Sequence, residues 1–171
     1  MALVDDRASV RRDPRPRTGL DLDSVAAVIS MESRYLLQHR EDRLGVSYPN
    51  CWGLFGGACE DGESAADAVR RELLEELNLE VTGCEPLLTC TYDLWFEDRR
   101  TRKAFFNVEV TEAQAGKIVL GEGQGMAWLR FEEIMARADQ FVPYDLGIIA
   151  LHYRGITRAG FLGRARSGGP G

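Results

Sequence analysis

Three carboxylates at helical spacing, behind a glycine turn, are the residues of this chain best suited to chemistry. Glu72, Glu75 and Glu76 stand at i, i+3 and i+4, so a helix through them presents all three on one face. Taken alone they describe a solvated acidic face, relieved in part by Arg71 reaching Glu75 one turn on. The stretch before them points elsewhere. Phe55-Gly56-Gly57-Ala58 follows an apolar run and bends the chain where backbone carbonyls can turn inward. Clustered carboxylates together with a carbonyl are hard oxygen donors, which suit Mg2+ or Mn2+ rather than zinc.

The helix that must carry these groups is well marked. Ser64 is a good N-cap, and Asp67 three residues on completes a capping-box-like pattern. Alanines and leucines follow, with Ala66, Val69, Leu73 and Leu77 on one core-facing stripe. Ala65 and Ala68 lie a turn before the glutamates, where their small side chains are expected to leave room for something to approach. Asn78 suits the helix end, since Asn tolerates the left-handed conformation.

Written as a pattern, Gly57 to Leu79 reads G-x5-E-x7-R-E-L-x-E-E-x-N-L. It resembles the signature of the Nudix hydrolases, matching at Gly57, Glu63, Arg71, Glu72, Leu73, Glu75, Glu76 and Leu79. It departs only where Asn78 replaces the second glycine. The resemblance implies a Nudix fold, an α+β (α/β-type) sandwich with a mixed sheet between helices. It also implies hydrolysis of a nucleoside diphosphate linked to another group, with Mg2+ as cofactor and Mn2+ as a substitute. By the same resemblance Glu72, Glu75 and Glu76 ligate the metal, with the Gly57 carbonyl. Arg71 holds Glu75 or Glu63 in place, and Glu63 fixes the loop to the helix. A further acid comes from a later loop. Glu122, between Gly121 and Gly123, is the candidate, as metal ligand or as general base in rivalry with Glu76; an ordinary acidic turn is the plainer alternative. Arg40 stands where the family often has a phosphate-binding arginine, although a surface arginine paired with Glu41 or Asp42 fits equally well. Trp52, Trp95, Phe96 and Tyr92 are candidates for stacking a base, against the commoner role of core aromatics.

The other elements follow from alternation and turn residues. Residues 25–29 and 35–40 read as strands joined at Glu32-Ser33. A polar loop leads to residues 51–55. A long strand over 87–96 turns at 98–100 and returns over 103–110, with Ala104, Phe106 and Val108 inward. A short strand over 126–129 precedes helices over 131–138 and 145–153. The resemblance spans about residues 22–155, giving an arm over 1–20, a domain over 21–157 and a tail over 158–171.

Composition bounds the remaining classes. With 171 residues and 44% hydrophobic content, one domain with a sizeable core is expected. A net charge of −6 argues against a nucleic-acid polymer or an anionic membrane as partner, but not against small phosphorylated substrates. A homodimer is left open. Cys51, Cys59, Cys84 and Cys90 fit no zinc or disulfide framework and read as reduced thiols. Residues 1–20 hold five arginines, three aspartates and two prolines and no apolar segment, so they are neither a secretory signal nor a typical transit peptide. A cytoplasmic protein is the expectation. His39 reads as a strand residue and His152 as a helix-face residue. Two rival functions share the fold. One is a nucleotide-binding or sensor module without catalysis, which usually lacks box carboxylates. The other is an isopentenyl-diphosphate-isomerase-like enzyme, whose cysteine setting Cys51-Trp52-Gly53 does not resemble. The runs at 48–55 and 142–145 are similar to those of relatives acting on nucleotide sugars or nucleoside triphosphates.

Overall fold

The computed structural model describes residues 22–94 and 99–155. Strands β1 (Ser24–Met31) and β2 (Arg34–His39) form a hairpin, turned by Glu32 at φ 54°. A loop leads to the two-residue strand β3 (Trp52–Gly53) and then to helix α1 (Ala65–Leu77). Strands β4 (Glu85–Leu94) and β5 (Arg99–Glu109) pair antiparallel. The short helix α2 (Glu112–Ala115), strand β6 (Gly125–Arg130), helix α3 (Phe131–Met135), a 3-10 turn (Ala138–Gln140) and helix α4 (Pro143–Tyr153) complete the order.

The six strands form one mixed sheet. Its path runs β3-β2-β1-β5-β4, with β6 on β2; β1 and β5 are parallel and the other pairs antiparallel. Strands β1 and β2 stay paired only near their turn, from Ile29 and Leu36 outward. Further along, residues 52–58 enter the gap between them. Trp52 and Gly53 pair with β2, while Phe55 and Gly57 accept the Ala27 and Val25 amides of β1. The glycine turn is thereby wedged into the sheet, which fixes what lies beneath it.

Period-2 alternation separates two cores. Val25, Ala27, Ile29, Leu36, Phe55, Ala104, Phe106 and Val108 face α1, whose Val69, Leu73 and Leu77 are fully buried against them. Ala26, Val28, Tyr35, Leu37, Leu54 and Phe105 face α3 and α4. His152 of α4 is half-buried, between the Tyr35 hydroxyl (3.1 Å) and Asn107 Oδ1 (3.0 Å); burial lowers its pKa against the opposing charge of Glu109. It is thus more enclosed than a helix-face position implies.

Ser64 caps α1 by accepting the Asp67 amide, and Asn78 ends it at φ 51°, ψ 34°, as the sequence indicated. Several bounds shift. Strand β5 begins at Arg99 rather than after a turn there, and the helix expected over 131–138 stops at Met135. Helix α2 was not expected, although Thr111 and Gln114 form a reciprocal capping box that signals it. The arm, the tail, Trp95 and Phe96 lie outside the described residues. No helix among the described residues is long and apolar enough to cross a membrane.

Candidate active site

The three glutamates of α1 share a face but not an environment. Glu75 is exposed and Glu72 is partly covered, whereas Glu76 is only 6% exposed. A solvated face was expected, and Glu76 corrects it: the wedged glycine turn and β2 close over the last turn of α1. Its Oε2 accepts the Gly56 amide at 2.9 Å, and its Oε1 accepts from Gln38 Nε2 at 3.2 Å. Burial pushes the Glu76 carboxyl up to about 7; Glu72 and Glu122 add to the rise, and the two hydrogen bonds oppose it. Glu72 is also raised, first by burial and then by the charges of Glu75 and Glu122, with Arg71 opposing. Ala68 does not leave room beside the glutamates, because it is fully buried in the core and Ala65 packs against that core.

Arg71 ties the acidic groups together. Its guanidinium donates twice to Glu63, from Nε and Nη2 at 3.0 Å each. Its Nη1 donates to Glu72 at 2.9 Å and to Glu75 at 3.1 Å, and Nη2 also reaches the Ala58 carbonyl at 2.9 Å. A planar five-donor fork is the one side chain that can do this from a single position. Glu63 in turn accepts the Glu60 amide, and Arg71 holds its carboxyl below the usual range. The sequence expectation that Arg71 holds Glu75 or Glu63 thus understates its reach, which takes in both and Glu72.

Glycines decide how closely the backbone lies under these groups. Gly56 adopts φ +137°, and a Cβ there would collide with the Val25 carbonyl and Ala26 Cα. A Cβ on Gly57 would run into the Glu72 carboxylate. The Gly57 carbonyl accepts the Val25 amide at 2.9 Å, so one of its two lone pairs is already used.

The loop after α2 brings the fourth acid. The Gly121 amide donates to the Glu76 carbonyl at 2.6 Å, and a Cβ on Gly121 would stand 2.6 Å from the Glu75 carbonyl. Glu122 is therefore carried over the end of α1, where its charge helps raise both Glu72 and Glu76. Among the described residues no three carboxylate, imidazole or thiol groups converge as a formed ligand set. Arg71 draws Glu72 and Glu75 aside, and Glu76 turns to Gly56 and Gln38. The donors nevertheless fit a hard divalent cation: all are oxygens, and their charges face one another across a partly dry site.

The remaining candidates lie nearby but are engaged. Arg40 follows β2 and donates from Nε to the Ser47 carbonyl at 3.0 Å, while Glu41 pairs with Arg43. Trp52 in β3 stacks on His39, with ring centroids 4.8 Å apart and planes at 16°. Two residues escaped the sequence reading. Gln38, the ligand of Glu76, was signalled only as a polar residue in an apolar strand. Asp145, 1% exposed in the first turn of α4, was signalled by its place after Pro143. Its Oδ2 accepts the Leu54 amide at 2.9 Å.

The family model described as NUDIX domain matches residues 21–150. The nucleoside triphosphatase NudI of Salmonella arizonae is 29% identical over 141 residues, which cover 75% of this chain and 90% of that protein. A NUDIX hydrolase from Nitrosomonas europaea superposes with a TM-score of 0.67 at 22% identity, over 80% of this chain and 92% of that one. A bifunctional NMN adenylyltransferase/ADP ribose pyrophosphatase from Francisella tularensis, complexed with AMP and a Mn ion, gives a TM-score of 0.65 at 20% identity, over 77% of this chain and 41% of that one. At these identities the two structures speak for the fold alone.

Proposed function

The chain belongs to the Nudix hydrolase family, and from that premise we propose that it is a divalent-metal-dependent pyrophosphohydrolase acting on a nucleoside triphosphate or nucleotide sugar. The observation that carries this reading is the buried Glu76, which accepts from Gly56 and Gln38 and lies beside three further carboxylates. A structural acidic helix would have no reason to bury one of its glutamates. The NudI relative is named a nucleoside triphosphatase, and a structural neighbour holds AMP and Mn, which agrees with a nucleotide substrate and a hard cation.

Oxygens of Glu72, Glu75, Glu76 and Glu122, with the free lone pair of the Gly57 carbonyl, would hold Mg2+ or Mn2+. The ion supplies charge to the phosphates and lowers the pKa of bound water. The chain's own groups do the rest. Glu76 and Glu122 are rival general bases for the attacking water. Arg71 is a positioning residue that keeps Glu63, Glu72 and Glu75 in register. Arg40 and Trp52, at the mouth of the wedge, are assigned to the phosphates and to a ring of the substrate. Arg40 would exchange the Ser47 carbonyl for phosphate oxygens. We place the protein in the cytoplasm, where nucleotides are abundant.

The test is a panel of nucleoside triphosphates, nucleotide sugars and dinucleoside polyphosphates, assayed with Mg2+ for released phosphate and pyrophosphate. Hydrolysis that stops in excess EDTA is expected. No turnover on the whole panel, or full turnover in EDTA, would refute the assignment.

A further inference from the structure

Gln38 is a buried polar residue of β2 on the face toward α1. Leu36, two residues before it on the same face, is fully buried in the core, and Gln38 is itself only 7% exposed. It sits inside the sheet, opposite Gly53 of β3 on one side and Met126 of β6 on the other. An apolar side chain would fill such a place, so an amide there must find partners. Its Nε2 donates to Glu76 Oε1 at 3.2 Å and reaches the Glu122 carbonyl at 3.5 Å. These partners come from different parts of the chain, the last turn of α1 and the loop 121–124.

That loop is fastened at both ends. The Gly121 amide donates to the Glu76 carbonyl at 2.6 Å. The Gln124 amide donates to the His39 carbonyl at 2.9 Å, and its side-chain Nε2 to the Arg40 carbonyl at 2.7 Å. Between these points the backbone lies directly on Gln38. Gly123 adopts φ +94°, and a Cβ there would stand 3.1 Å from Gln38 Cγ and 3.2 Å from its Nε2. A glutamine kept only to satisfy the buried Glu76 would need one N–H and no such close approach.

We infer that Gln38 is a positioning residue for hydrolysis, whose planar NH2 group sets the Glu122 loop at a fixed place relative to the Glu76 carboxylate. This deepens the proposed function and rests on it. The two N–H bonds of one amide point in two fixed directions. One side chain therefore couples an acid on a helix to an acid on a loop, a placement that neither element imposes alone. Gln38 acts through Glu76 and Glu122, and reacting groups misplaced by about 1 Å lose rate steeply.

Hydrogen exchange of the full chain in EDTA tests the coupling without turnover. Gln38→Met keeps the length of the side chain and removes both donors. Exchange at the Gly121 and Gln124 amides should rise about 10-fold, while the Ala27 and Val110 amides, bonded within the sheet, stay as they were. With Mg2+, Gln38→Met should lower kcat about 10-fold. The same substitution made in Glu122→Gln should cost at least about 3-fold less, since the acid to be placed is already gone. If Gln38→Met does not fold, Gln38→Asn, one methylene too short to reach both partners, should show the same pattern. Unchanged exchange at Gly121 and Gln124, an equal rise at all four amides, additive losses of kcat, or failure of both variants to fold overturns the inference. Metal-dependent hydrolysis with unchanged exchange in the variant sinks this inference alone. Loosening of the loop in a chain that hydrolyses nothing on the panel sinks the proposed function, and with it the catalytic part of this one.

Discussion

Glu76 and Asp145 grip the same short piece of chain from opposite faces of the sheet. The Glu76 carboxylate takes the Gly56 amide at 2.9 Å, and the Asp145 carboxylate takes the Leu54 amide at 2.9 Å. Residues 52–58 are also the segment wedged between β1 and β2. Protonation of Glu76, or movement of α4, therefore acts on one shared element.

The raised Glu76 carboxyl makes the metal-free protein sensitive to pH. Its ordinary value is 4.5 and its folded value about 7, so the folded state binds the extra proton between these limits. The stability it contributes is full below pH 4.5 and is lost as pH rises through 7. Thermal unfolding in EDTA should show a lower Tm at pH 8 than at pH 6, with a stability difference of about 1.3 kcal/mol. Glu76→Gln should flatten that slope; an equal slope in the variant would show that another group is responsible.

Catalysis separates Glu76 from Glu122. Glu76→Gln is expected to lower kcat by about 10^2 or more. If Glu122 is the base, Glu122→Gln lowers kcat with little change in the metal concentration needed; if it is mainly a ligand, excess Mn2+ restores part of the loss. Metal titrations of the two variants side by side decide this. A curve for Glu122→Gln that matches the wild type would leave the helix as the only source of a base.

Arg71 offsets the repulsion among Glu63, Glu72 and Glu75, so Arg71→Ala should destabilise the metal-free chain by about 2 kcal/mol or more. Added Mn2+ should recover part of the lost Tm by supplying positive charge to the same carboxylates. A variant indifferent to Mn2+ would show that Arg71 acts only through the Glu63 and Ala58 contacts.

The two glycines should fail in different ways. In Gly56→Ala the new methyl meets the β1 backbone at a left-handed φ, so loss of the fold is expected. In Gly57→Ala its nearest neighbours are the movable end of Glu72, so the Tm should change little while metal affinity falls. Equal loss of Tm in both would mean that the Glu72 carboxylate cannot move aside.

What the sequence determined by itself was local. The capped helix, its buried stripe, the left-handed Asn78 and the grouping of Glu72, Glu75 and Glu76 on one face follow from residue spacing along a single element, and all appear in the fold. Helix α2 was not expected, although its reciprocal cap of Thr111 and Gln114 is a local signal of the same kind. Tertiary structure decided which of the three glutamates is buried, because that depends on a glycine turn slotting between two strands far from the helix in sequence. It also decided that Gln38 and Gly56 meet Glu76, and that Gln38 reaches the Glu122 loop. Those groups come from separate elements, and their burial and shared hydrogen bonds exist only once the sheet and α1 have brought them together.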